Sequence, residues 1–284
     1  MQKKHALVVG VDHYSNLEEQ YQLSGCVNDA KLVKRVLIDR FGFVGSEITE
    51  LHNASAGRAG ILGEMKRLVD EIDKDDSVFF HFSGHGSRRT SADPEEASGM
   101  DSTIMPSDSG RDPLPNLDIV DDEIHEWLRR LSTKTRSITL TFDCCHSGTI
   151  TRAARRATVR TVEADTRSLA EMGVDVSQLP HKKKAQQRNV APGGWLAISN
   201  AYVVMSGCRD DEYSYEFENQ QGNDLVKNGA LTYFLTNALT TAKPGETYRD
   251  VFERASQGVT AKFPEQHPQI VGADDRNIFD ITGA

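Results

Sequence analysis

Four stretches of this chain are apolar almost without interruption: ALVVGV (6–11), SVFFHFS (77–83), SITLTFD (137–143) and WLAISN with YVVMSGC (195–208). A strand with one wet face alternates apolar and polar residues, whereas a strand covered on both faces has no need to. These runs therefore predict strands buried between two layers. The segments between them carry a helical period. Leu32, Val33, Val36 and Leu37 share a face, as do Ile61, Leu62, Met65, Leu68, Val69 and Ile72. Ile124, Trp127, Leu128 and Leu131 repeat the pattern, and so do Leu231, Phe234, Leu235 and Leu239. Strands alternating with helices predict an α/β fold in which helix layers sandwich a central, mostly parallel sheet. The length, 284 residues, allows one large domain or two small ones.

A chain of 284 residues buries a sizeable core without staples. Its four cysteines, Cys26, Cys144, Cys145 and Cys208, do not make a disulfide framework. With no secretory signal in MQKKHALVVGVDHY, which reads as an opening strand, a reducing cytoplasm is the expected location. No apolar run approaches the ~18 residues of a membrane span. A net charge of -9 disfavours nucleic acid, whose phosphates are met by excess Lys and Arg.

Residues 149–192 stand apart, rich in Arg and Lys and poor in large apolar side chains. They are expected to form a long surface loop between a region 1–148 and a region 193–284. Its basic residues Arg152, Arg155, Arg156, Arg160, Lys182, Lys184 and Arg188 read either as solvated surface or as protease substrate.

Two of the predicted strands run directly into reactive side chains. SVFFHFSGHGS ends in Ser83-Gly84-His85-Gly86, and SITLTFDCCHSGT ends in Asp143-Cys144-Cys145-His146. Ligands of open parallel sheets sit outside the carboxyl ends of the strands. Glycines there permit a sharp turn and leave backbone N–H groups open to a ligand. A cysteine nucleophile needs an imidazole and an oxyanion donor, so His85 with one of the paired cysteines forms a plausible dyad. The N–H groups of Gly86 and Cys145 can supply the donors. The chemical rival is a metal site built from His81, His85, Cys144, Cys145 and His146, although adjacent cysteines on extended backbone point to opposite sides and chelate poorly.

FSGHG followed by DCCHSG resembles the caspase-like cysteine peptidases, specifically the metacaspases and their prokaryotic relatives, the orthocaspases. LSGCVNDA (23–30), GMDSTIMPSD (99–108), IVDDEIHEWL (119–128), SGCRDDEYSYE (206–216), GALTYFLTNAL (229–239) and QHPQI (266–270) extend the resemblance in family order. It implies a caspase-like three-layer sandwich as a single domain over 1–284, His85 as general base and Cys145 as nucleophile, with Cys144 in the variable position. It further implies a primary specificity pocket formed by Cys26, Asp29, Ser83 and Asp143, and cleavage after Arg or Lys. Two carboxylates in one pocket favour a guanidinium, which binds them bidentately. Asn28 or Asp29 can alternatively cap the helix that starts there, whereas Asp143 has no such local task in the sequence.

Calcium activation in the family corresponds here to Asp101, Asp121 and Asp122. The fourth acidic position is taken by Arg152, whose charge opposes a dication; no cofactor is therefore expected. Asp121 and Asp122 also suit a helix N-terminus. The resemblance further implies self-cleavage in 149–192, a peptide or protein substrate and a monomer. The alternative readings are a catalytically silent scaffold and an Asp-specific protease, the latter opposed by Asp29 and Asp143.

Overall fold

The computed structural model describes residues 2–94, 96, 98–146, 158–180 and 199–280. A six-stranded sheet runs in the order β12-β9-β7-β3-β1-β2, with β1 Lys4–Gly10, β2 Ile48–His52, β3 Ser77–Ser83, β7 Ser137–Asp143, β9 Tyr202–Ser206 and β12 Gln269–Gly272. All neighbours are parallel except β12, which runs antiparallel to β9. The continuous apolar runs are explained by the layers: every residue of β3 is buried. Val78, Phe80 and Phe82 face one helix layer and Phe79 the other, as the twofold strand period requires.

The first layer holds α2 (Arg58–Glu71) and α3 (Asp121–Leu131), whose Ile61, Met65, Leu68, Ile124, Trp127 and Leu128 pack on Phe80, Leu140 and Phe142. The second holds α1 (Cys26–Phe41), α4 (Ala230–Thr240) and α5 (Tyr248–Lys262), built on Val33, Leu37, Leu235, Val251 and Phe252. Each large apolar side chain so covered contributes roughly 1.5–3 kcal/mol. The fold is thus the predicted α/β/α sandwich. Among the described residues no helix is long and apolar enough to cross a membrane.

Two small sheets flank the carboxyl edge of the main one. The first joins β4 (Gly86–Thr90), β5 (Met100–Ile104) and β6 (Ile119–Val120). The second joins β8 (Thr158–Val159) to the hairpin of β10 (Tyr215–Gln221) and β11 (Asp224–Gly229). Here the structure departs from the sequence reading in two ways. The strand predicted over 195–208 begins, within the described residues, only at Tyr202. Within the described part of 149–192, Arg160, Thr161, Val162, Asp165 and Met172 are buried, while the other residues are exposed or half-buried. β8 joins β10 near the start of the segment, and this pairing leads the following residues inward.

Candidate active site

Ser83, the last residue of β3, lies in register with Asp143, the last of β7. The chain therefore delivers His85 and Cys145 two positions beyond paired strand ends. Gly86 sits directly against the Cys145 carbonyl, where a Cβ has no room. The glycine after the histidine is thus set by the close approach of the two backbones.

His85 is fully buried. Its amide donates to the Tyr14 hydroxyl at 2.6 Å, and the Tyr14 ring packs on the imidazole at 4.9 Å. Nε2 lies 2.6 Å from the Tyr21 carbonyl, which only accepts, so Nε2 carries the proton and Nδ1 the lone pair. Nδ1 is buried and makes no hydrogen bond among the described residues. Burial lowers the His85 pKa to about 4, against the opposing Tyr21 hydrogen bond, so the imidazole is neutral.

The Cys145 sulfur accepts the Ser214 amide at 2.6 Å. Cys144 turns to the other side of the strand end, into the core layer of α2 and α3, with its Sγ 3.8 Å from His146 Nε2. Burial raises the Cys144 thiol pKa well above its usual value. His81 pairs with Thr141 Oγ1 at 2.7 Å inside the sheet. Among the described residues the five candidates of the metal reading do not bring three ligand atoms within 4.8 Å of one another.

The most informative side chain is Arg160, fully buried beside these groups. Its guanidinium lies 2.8 Å from Asp29, 3.3 Å from Asp143 and 3.5 Å from Glu216, and Nη1 donates to Ser83 Oγ at 2.7 Å. Its carbonyl oxygen accepts two amides, from Gly86 and from Cys145, each at 3.1 Å. Its own amide donates to the Ser214 carbonyl at 3.1 Å. Gly229 clears the space for the guanidinium, since a Cβ there meets Arg160 and Asp143.

The carboxylates are also held by donors other than the guanidinium. Asp29 accepts Ser83 Oγ at 2.7 Å, Asn228 Nδ2 at 2.8 Å and the Gly229 amide. Burial pushes its pKa up to about 7, against the attraction of Arg160 and with the repulsion of Asp143. Asp143 accepts Ser214 Oγ at 2.7 Å and both the amide and hydroxyl of Thr232 at 2.8 and 2.7 Å. Asp143 has no task within its own stretch of chain but accepts an orphan amide of α4, 89 residues away, because Thr232 lies in the first turn of α4 and its N–H has no partner within the helix. Asp29 lies inside α1 and does not cap it: the N-cap is Gly25. The orphan amides of α1 go instead to Asp12, which accepts Cys26 N at 2.7 Å, and to Glu216, which accepts Gly25 N at 3.0 Å. Cys26 is fully buried between these two carboxylates, and burial raises its thiol pKa.

Glu216 and Ser214 are the members of the site that the sequence reading missed. They lie in SGCRDDEYSYE, which carried the resemblance as a block without roles for its residues.

The acidic residues considered for calcium lie elsewhere. Asp101 is on β5, and Asp121 and Asp122 are in the first turn of α3. Asp93, Asp101 and Asp122 line a cavity of about 210 Å³. Among the described residues, Asp101, Asp121 and Asp122 do not bring three ligand atoms within 4.8 Å. The buried Arg89 faces Asp101 in register across β4 and β5 and is attracted by Asp118, Glu123 and Asp101. A calcium ion takes six to eight converging oxygens, and no chemical step is routed through one. Ser147, Arg152, Arg155, Arg156, Lys182, Lys184 and Arg188 lie outside the described residues.

Residues 4–153 match the family model "Metacaspase, peptidase C14 domain". Metacaspase-1 of Schizosaccharomyces pombe is 31% identical across 94% of this chain and 67% of its own length. Metacaspase-1 of Eremothecium gossypii is 34% identical across 94% of this chain and 63% of its own. The chain thus spans about two thirds of the length of these relatives. A Geobacter sulfurreducens protein of known crystal structure superposes with a TM-score of 0.64 at 20% identity, covering 98% of both chains, a likeness of fold.

Proposed function

The chain belongs to the metacaspase family of cysteine-type endopeptidases, and we propose that it hydrolyses peptide bonds after Arg, and less efficiently Lys, through Cys145 and His85. In this reading the Cys145 sulfur attacks the carbonyl carbon of the substrate arginine. His85 Nδ1 takes the thiol proton and passes it to the leaving amine. The Gly86 and Cys145 amides hold the oxyanion, each such donor being worth about 100- to 1,000-fold in rate. Water then hydrolyses the thioester and frees Cys145. The substrate guanidinium sits among Asp29, Asp143 and Glu216, with Ser83 and Cys26 completing the pocket.

Arg160 is the observation that carries this reading. It is an arginine of the same chain with its guanidinium on three carboxylates and its carbonyl on the two amides. It also supports self-cleavage within 149–192, the basic residue concerned being Arg160. Every group involved comes from one chain, so the proposed site is complete in a monomer.

The test is turnover of fluorogenic peptides ending in Arg, Lys or Asp, with and without calcium, beside a Cys145→Ala variant. The expected order is Arg above Lys, with Asp inert, no calcium requirement, and a loss of at least ~10⁴-fold in Cys145→Ala. Turnover of the Asp peptide alone, or of none, rejects the proposal, and silence on all three points to a scaffold.

A further inference from the structure

Contact between the resident segment and the site does not stop at Arg160. Thr161 to Asp165 continue as an extended stretch beside β4, with parallel bridges Gly86 to Thr161 and Arg89 to Asp165. The Val162 amide donates to the Gly86 carbonyl at 3.1 Å, and the Asp165 amide to the Arg88 carbonyl at 2.8 Å. The Thr90 amide donates back to the Asp165 carbonyl at 3.0 Å. Ser87 Oγ bridges the carbonyls of Val162 and Glu163 at 3.0 and 3.1 Å. The side chains differ in burial: Thr161 is 1% and Val162 3% exposed, Val162 joining the core layer of α2 and α3, while Glu163 faces solvent. Asp165 is 5% exposed, and its carboxylate accepts Asn116 Nδ2 at 3.1 Å. This is strand addition to a sheet edge, in which main-chain hydrogen bonds give affinity and alternate side-chain pockets give selectivity.

We propose that the β4 edge is a binding channel for the substrate residues that follow the cleaved bond. It takes a small hydroxyl residue first, a buried apolar residue second and a carboxylate fifth, and Thr161–Asp165 are its resident occupant. The proposal rests on the reading of cleavage after Arg. It makes Arg160–Thr161 the self-cleaved bond. The Cys145 sulfur replaces the Thr161 nitrogen on the Arg160 carbonyl carbon, the thiol proton goes to that nitrogen through His85, and water then releases the Arg160 carboxyl. The amine half stays docked after the cut, because Asp165 also pairs with Arg167 at 2.7 Å and the fully buried Met172 accepts the Asn116 amide.

Two measurements on the full chain test this. The first is the mass and amino-terminal residue of the self-cleaved fragments, with Val162→Asp and Glu163→Lys beside the parent. The new terminus is expected at Thr161, with self-cleavage slowed at least about tenfold in Val162→Asp and unchanged in Glu163→Lys. The second covers misfolding of that variant by using the parent enzyme alone. It compares kcat/KM on acetylated TVRTVEAD with that on TVRTDEAD, where the resident strand competes equally with both peptides. A ratio of at least about ten is expected. Equal values for the two peptides, or a terminus elsewhere than Thr161, overturn the channel. An enzyme that cuts both peptides after Arg at equal rates overturns the channel alone. Failure to cut either peptide or an Arg-coumarin substrate overturns the reading beneath it as well.

Discussion

The pocket around Arg160 and the cavity beside α3 are both acidic, yet they are built in opposite ways. Asp29, Asp143 and Glu216 come from α1, β7 and β10, far apart in the chain, and their oxygens meet on one guanidinium. Each is held by donors fixed in the fold: the Gly229 and Thr232 amides for the two aspartates, the Gly25 amide for Glu216. Asp121 and Asp122 are neighbours in sequence at a helix start, with Asp101 on a strand nearby, and among the described residues their oxygens do not converge. Carboxylates become a binding site when backbone donors aim them at one point, and adjacency in the sequence does not achieve this. Paired charges that are buried and aimed are also the ones whose loss is expensive.

The sharpest way to break this contrast is Asp143→Asn. It removes the charge that faces the guanidinium and turns one of the two accepting oxygens, which meet Ser214 and Thr232, into an NH2 donor. Arg-peptide binding is expected to fall by about 2–5 kcal/mol, roughly 30-fold and upward in kcat/KM. Chemical denaturation is expected to show a loss of about 3 kcal/mol, because the buried Arg160 is left undercompensated. An Arg preference intact in this variant would sink the pocket assignment.

Asp29→Asn is the next largest, and pH tells it apart. The ionised carboxylate binds the guanidinium, and with a pKa of about 7 that form is complete above neutrality and lost as pH falls through 7. The Michaelis constant for Arg peptides is therefore expected to fall as pH rises through 7, and Asp29→Asn to abolish that dependence. His85, with a pKa of about 4, is already in its basic form across this range and does not produce the effect.

The smallest effect belongs to the other acidic region. Asp122→Asn removes a charge favoured by the dipole of α3, which costs about 0.3–1 kcal/mol of stability. Turnover of Arg peptides is expected to change less than about twofold, with or without added calcium. A calcium requirement lost in Asp122→Asn would overturn the contrast drawn here.

The layers were legible because burial on both faces forces continuous apolar strands and burial on one face forces a helical stripe. Both patterns are local, and β1, β3, β7 and four of the five helices fall where the patterns lie. Helix α5 and the edge strands β2 and β12 carried weaker signals, since edge strands are half exposed and their runs short. At the site, His85, Cys145, Asp29 and Asp143 were legible as types of residue at strand and helix ends. Glu216 was not, because its role depends on pairing with residues more than 190 positions away.

By itself, then, the amino-acid order determined where β1, β3, β7 and four helices lie, which family the chain resembles, and which residues are candidates for nucleophile and base, all of which follow from local pattern and short motifs. Only the tertiary structure decided that Arg160, one basic residue among several in a polar segment, is the one seated on three carboxylates, and that Val162 and Asp165 follow it inward. The physical reason is that a guanidinium leaves water only where paired charges and aimed donors are already in place, and here those donors are brought together by sheet register and helix packing rather than by neighbours in the chain.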